Sequence, residues 1–310
     1  MEKGVNLKEH TTYKIGGPAS YFFEAKNQND IKKAILEWKN IGGDIKDIFV
    51  ISGGANVLFS DEGFDGLILK VSIKGIKEIG IGIVEIGAGE KMKDVVEFAA
   101  KKNLSGLEWA AGLPGSFGGA IRGNAGAFKG EMKDSILEIE SVKLADPTTI
   151  ILRDNTDCEF DYRTSFYKRN KEEIILRAVL KLDIGDEQNI RDKMDGYIKY
   201  REDHQPLEYP SAGSTFKNID AKFVTKMQRK EWVTVIKNDP FPVVPVAFLL
   251  SEAGLKGKRI GGAMISEKHP NFFINYNNAT AEDIKKLIIF AKEKIKEKFN
   301  IDIELEIQIV

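Results

Sequence analysis

Cysteine is nearly absent. Cys158 is the one such residue among 310, so no internal disulfide can form and the fold must rest on its apolar core. Histidine is scarce as well: His10, His204 and His269 are the three, at separations that match no metal-ligand spacing, so no required metal is expected. No apolar stretch reaches the roughly 18–20 residues of a membrane span. The start Met1-Glu2-Lys3-Gly4 has no apolar signal segment, and the chain is expected to be cytoplasmic without membrane insertion. An excess of either charge is missing too, since 46 basic side chains face 47 acidic ones for a formal net charge of −1. That balance gives no global field to draw nucleic acid. Within the basic set, nine arginines stand against 37 lysines, so an arginine inside a motif carries added weight. No internal repeat, low-complexity tract or Gly/Ser/Pro-rich linker marks a boundary. Nucleotide fingerprints fail as well: Gly80-Ile81-Gly82-Ile83-Val84-Glu85 and Gly87-Ala88-Gly89-Glu90-Lys91-Met92 both lack the third small residue of a dinucleotide loop.

What is present suggests chemistry in loops. Pro210-Ser211-Ala212-Gly213-Ser214-Thr215-Phe216-Lys217-Asn218 offers a hydroxyl, a lysine and an amide beside a glycine hinge. Cys158-Glu159-Phe160-Asp161-Tyr162-Arg163-Thr164-Ser165 supplies an arginine, and Glu304-Leu305-Glu306-Ile307 ends the chain in an apolar strand pattern. Ser52-Gly53-Gly54-Ala55-Asn56-Val57-Leu58 follows the apolar run Ile48–Ile51. A strand emptying into such a loop lets backbone N–H groups approach a phosphate. Ala111-Gly112-Leu113-Pro114-Gly115-Ser116-Phe117-Gly118-Gly119-Ala120, with Arg122-Gly123-Asn124-Ala125-Gly126 after it, repeats the pattern. Each feature has a plain structural counterpart. The glycines serve tight turns, Arg163 pairs with Asp161, Ser214 caps or turns, Lys217 is solvated, and Cys158 packs as a small apolar side chain. Glu304 and Glu306 share one strand face, so spacing does not choose between them.

Taken in order, with Thr11-Thr12-Tyr13-Lys14-Ile15-Gly16-Gly17-Pro18-Ala19 at the start and Gly261-Gly262-Ala263-Met264-Ile265-Ser266-Glu267-Lys268-His269 near the end, these markers resemble the UDP-N-acetylenolpyruvoylglucosamine reductase family from end to end. The absence of a large tyrosine-bearing insertion in Tyr162–Val179 places the resemblance with its shorter subtype. The resemblance implies non-covalent FAD in a fold of the vanillyl-alcohol-oxidase type. It implies NADPH as hydride donor, and UDP-N-acetylglucosamine enolpyruvate as the substrate reduced in peptidoglycan precursor synthesis. It assigns FAD contacts to Gly53, Gly54, Ala55, Asn56, Ser116, Gly119 and Gly123, and substrate contacts to Lys217 and Asn218. Arg163 and Glu306 would stabilise an enolate and Ser214 would deliver a proton. A protonated Glu306 donating a hydrogen bond would need at least partial burial. An oxidase of the same fold and a catalytically dead binding protein are the competing classes.

The expected class is α+β: two FAD-binding subdomains, 1–70 and 71–202, and a C-terminal α+β substrate-binding domain, 203–301, with a strand at 302–310 returning toward the site. Periodicity predicts strands at Tyr21–Ala25, Ile48–Ile51, Leu67–Val71, Val84–Gly87, Ile136–Leu144, Ile174–Leu182 and Ile301–Val310. It predicts helices after an Asp30 cap, at Met92–Lys102, across Ile190–Tyr200 and at Ala281–Phe299. The stretch 219–245 departs from the family's short connection. Its alternation suggests a hairpin or a lid.

Overall fold

The computed structural model describes residues 1–310 and divides into two units. Unit 1 comprises Met1–Val5, Ala19–Gly54 and Phe64–Tyr200; unit 2 comprises Asn6–Pro18, Ala55–Gly63 and Arg201–Val310.

In unit 1, strand Phe64–Val71 lies between two parallel neighbours, Pro18–Ala25 and Ile48–Ile51. Helix Gln28–Asn40 buries Ile31, Ala34, Ile35 and Trp38, the i, i+3, i+4, i+7 stripe of an amphipathic helix. Its cap is Asn27 rather than the expected Asp30. Asn27 is extended and its side chain accepts the Asp30 N–H, whereas Asp30 is already helical and its carboxylate reaches back to the Lys26 N–H at 2.8 Å. The second layer is a five-stranded sheet in the order Ile150–Asp154, Ile136–Lys143, Glu173–Lys181, Ile83–Gly87, Ile76–Gly80. One face of this antiparallel sheet packs into the core, while Glu85, Arg177 and Glu140 pair across the three inner strands on the other. Helices Met92–Lys101 and Phe117–Arg122 add Met92, Val95, Val96, Phe117 and Ile121 to the same core.

Unit 2 is built on an antiparallel sheet of Ser211–Ser214, Phe272–Asn275, Ala263–Ile265 and Arg259–Ile260. Helix Ala281–Phe299 buries Ile284, Leu287, Ile288, Ala291 and Ile295. A Thr280/Asp283 capping box starts it and Asn300, in the left-handed region, ends it. The final strand is not the continuous Ile301–Val310 of the sequence reading. Leu305 bridges Phe216, and then Gln308–Ile309 pairs in parallel with Val57–Leu58. Changing partners between 306 and 308 breaks the strand, which periodicity does not reveal.

The 219–245 stretch also differs from expectation. Its hairpin is confined to Lys237–Asn238 and Pro242–Val244, with Ile219–Asp220 on the other side. Much of the remainder is helical: Lys226–Glu231 starts from a Thr225/Gln228 capping box. Buried Trp232 packs edge-on against Phe248 and Phe299, and this anchoring selects helix over strand.

Candidate active site

Ser214 owes its position to a bulge. Ser211 stands opposite Ile274 and Ser214 opposite Phe272, so three steps on one strand match two on the other. Gly213 takes up the extra residue at φ +73°, the left-handed conformation that glycine adopts without penalty. Beyond the bulge, the Lys217 N–H donates to the Glu304 carbonyl and the Glu306 N–H to the Thr215 carbonyl, both at 2.9 Å. Ser214 and Glu306 are thereby fixed on adjacent lengths of chain. Glu306 is half-buried and Glu304 exposed; the Glu304 carboxylate lies 3.3 Å from Lys217 Nζ.

The N-terminal marker serves the same sheet. Thr12 Oγ1 donates to the Ser211 carbonyl at 2.7 Å, Tyr13 Oη to the Phe273 carbonyl at 2.6 Å, and Asn275 Nδ2 to the Tyr13 carbonyl at 3.2 Å. Asn56 Nδ2 donates to the Glu306 carbonyl at 3.1 Å, and the Gln308 N–H returns to the Asn56 carbonyl at 3.0 Å. Asn218 has a structural task as well, its Oδ1 accepting the Val246 N–H at 3.2 Å.

Arg163 lies on unit 1, in a tight turn closed by reciprocal Asp161–Thr164 backbone bonds of 3.1 Å. Its own φ is +55°, a rare conformation for a residue with a Cβ and one that recurs at functional sites. One guanidinium nitrogen donates to the Gly126 carbonyl at 2.6 Å, and the ring of Tyr162 lies 5.0 Å away in cation–π range. The turn is held from behind. Buried Asn124 donates to the Asp161 carbonyl at 3.1 Å and to Glu131 at 2.7 Å, and Lys168 Nζ donates to the Arg163 carbonyl at 2.8 Å.

The two glycine-rich loops meet in unit 1. Ser116 Oγ accepts the Gly53 N–H at 3.1 Å and the Gly119 N–H at 3.3 Å. A Cβ on Gly53 would stand 2.5 Å from the Ser116 nitrogen, so only glycine allows this approach. The N–H groups of Gly54, Ala55 and Asn56 are taken by no acceptor within the protein. Gly123 caps the helix that Ser116 begins.

A family model for the C-terminal domain of UDP-N-acetylenolpyruvoylglucosamine reductase matches residues 205–310, and one for an FAD binding domain matches 19–153. The enzyme of that name from Caldicellulosiruptor bescii is 39% identical over 308 residues, covering 98% of this chain and 88% of the relative. The one from Clostridium botulinum strain 657 is 35% identical over 305 residues, covering 98% and 90%. The chain belongs to the UDP-N-acetylenolpyruvoylglucosamine reductase family. It is an FAD-dependent oxidoreductase. The crystal structure of the family member from Thermus caldophilus matches with a TM-score of 0.77 at 29% identity, covering 98% of this chain and 97% of that one. The α+β class and the FAD-binding fold of the vanillyl-alcohol-oxidase type therefore hold.

The reductase-family loops suit a diphosphate cofactor. Gly53 makes a close approach that a side chain would block, and the next three N–H groups meet no acceptor within the protein. The Gly53 N–H itself is committed to Ser116, so that glycine acts through space rather than as a donor. Cys158 is buried and its thiol is pushed up to about 12 by burial, far from a reactive thiolate. Sequence reasoning missed Asn124, Glu131 and Asn271. Asn124 alone left a trace, an Asn among glycines at φ +40°.

Proposed function

We propose that this chain reduces UDP-N-acetylglucosamine enolpyruvate to UDP-N-acetylmuramate with NADPH, as a step of peptidoglycan precursor synthesis. The observation that carries this reading is the backbone pairing of the Ser214 loop with the Glu304–Glu306 segment, in a chain of the reductase family. In this reading 1–70 and 71–202 hold FAD and 203–301 the substrate. Gly53, Gly54, Ala55, Asn56, Ser116, Gly119 and Gly123 line the cofactor. FAD held by these residues would supply the hydride chemistry that links NADPH to the terminal carbon of the enolpyruvyl double bond.

The protein residues handle the charge that follows. Hydride addition leaves an electron pair on the carbon that bears the carboxylate, delocalised as an enolate. Arg163 offers a permanent, two-pronged cation to that group, and half-buried Glu306 is the second residue assigned to the enolate. Ser214 Oγ–H gives the proton to the second carbon, completing the reduction. Lys217 and the amide of Asn218 bind the diphosphate. Because hydride donor and substrate react in turn, the kinetics are ping-pong.

The test is to follow the flavin spectrum anaerobically while NADPH and then UDP-N-acetylglucosamine enolpyruvate are added. Bleaching followed by recovery, with UDP-N-acetylmuramate formed, is the expected result. Bleaching without recovery rejects the substrate, and rapid reoxidation by oxygen alone favours an oxidase.

A further inference from the structure

Strand Phe272–Asn275 cannot support the active-site loop by ordinary pairing. Continuing its register past Ser214 and Phe272 would set Thr215 against Asn271 and Phe216 against Pro270, and proline has no N–H to give. Phe216 is fully buried. Its N–H and carbonyl face away from the Glu304–Glu306 segment, which bonds instead to the flanking Thr215 carbonyl and Lys217 N–H. Asn271 fills the place of the missing peptide group. Its backbone carbonyl accepts the Thr215 N–H at 2.7 Å, its side-chain Oδ1 accepts the Phe216 N–H at 3.0 Å, and its Nδ2 donates to the Phe216 carbonyl at 2.8 Å. A carboxamide has the donor and acceptor of a peptide unit, and Asn271, 2% exposed, uses both.

We infer that Asn271 is a positioning residue for proton delivery: its amide fixes Thr215–Lys217 and with it the aim of Ser214. Removing the amide would leave two buried backbone groups without partners, and such groups pull a segment toward any new partner within reach. Ser214 is the residue immediately before that segment. The inference rests on the proton-donor reading of Ser214.

Asn271→Ala, Asn271→Asp, Ser214→Ala and the Ser214→Ala/Asn271→Ala double variant, all holding FAD, would be compared in the two half-reactions by stopped flow. Asn271→Asp keeps the side-chain volume and the acceptor for Phe216 N–H, and it serves if the alanine variant fails to fold. In Asn271→Ala, reoxidation by the enolpyruvyl substrate should slow by roughly 10²-fold, the scale of a misplacement of about 1 Å. Asn271→Asp should fall between it and wild type, with flavin reduction by NADPH unchanged in both. The double variant should be scarcely slower than Ser214→Ala, since a missing hydroxyl cannot be misplaced. Wild-type reoxidation in both Asn271 variants beside a slow Ser214→Ala would overturn the inference alone, as would effects that multiply in the double variant. Normal reoxidation in Ser214→Ala would overturn the proton-donor reading and this inference with it.

Discussion

The loops bearing Arg163 and Ser214 both need a residue at positive φ, but they distribute the cost differently. In unit 1 the arginine itself occupies φ +55°, while in unit 2 Gly213 takes φ +73° and Ser214 remains in a strand. At Arg163 the strain sits on the side chain proposed to stabilise the enolate, so a glycine that relieved it would also remove that group. Placed on a neighbouring glycine, the same backbone conformation carries no steric penalty, only glycine's entropic one, and leaves the serine's aim dependent on one neighbouring residue. The sharpest way to break this comparison is to substitute Arg163 by glycine and by alanine. Both variants should lose roughly 10²–10³-fold in reoxidation by substrate, as expected when one stabilising donor group is removed. Arg163→Gly should nevertheless be about 1 kcal/mol more stable than Arg163→Ala, because only glycine relaxes at that φ. Equal melting temperatures would mean that the turn is not strained by its side chain.

A pH scan separates the two units in another way, because His10, His204 and His269 all fall in unit 2. Burial, the largest cause, holds His269 down to about 4 from an ordinary 6.5. Between those values the unfolded chain binds a proton that the folded chain refuses, so stability is lost as pH falls through that window. The loss should reach the order of 2 kcal/mol between about pH 7 and about pH 4.5. His269→Gln should flatten this slope in thermal melts. An unchanged slope would place the imidazole in a more hydrated setting than the structure gives it.

Gly213→Ala tests the glycine side of the comparison. Nothing lies within 4 Å of a Cβ built there, so any effect comes from backbone conformation alone. A loss of about 1 kcal/mol in stability is expected, with slower reoxidation and unaltered reduction by NADPH. A neutral result would show that the bulge tolerates an ordinary residue.

Much of this was readable beforehand because short-range rules govern it. The Ile31-Ala34-Ile35-Trp38 stripe gave its helix, and Ala281–Phe299 ends where predicted. The two glycine-rich loops meet on Ser116, whose Oγ accepts the Gly53 and Gly119 N–H groups. What escaped depends on partners distant in sequence. The break near Glu306 follows from pairing first with 215–217 and then with 56–58. The helix at Lys226–Glu231 is set beside Trp232, which finds Phe248 and Phe299, while Asn271 acquires its role only because Pro270 interrupts a ladder. Neither periodicity nor propensity encodes such pairings.

Glu304 and Glu306 offer the finest division, two carboxylates one residue apart whose surroundings differ. The Glu304 side chain is 78% exposed and meets Lys217 at 3.3 Å, a surface pair of little energetic consequence once water screens it. Glu306 is half-buried, with its N–H on Thr215 and its carbonyl on Asn56. Glu304→Gln should therefore leave melting temperature and both half-reactions close to wild type. Its one expected effect is slightly tighter substrate binding, since Lys217 loses a competitor for the diphosphate. Glu306→Gln should slow reoxidation while sparing reduction by NADPH. Comparable slowing by both substitutions would mean that burial does not separate the two glutamates and that the chemistry uses the pair.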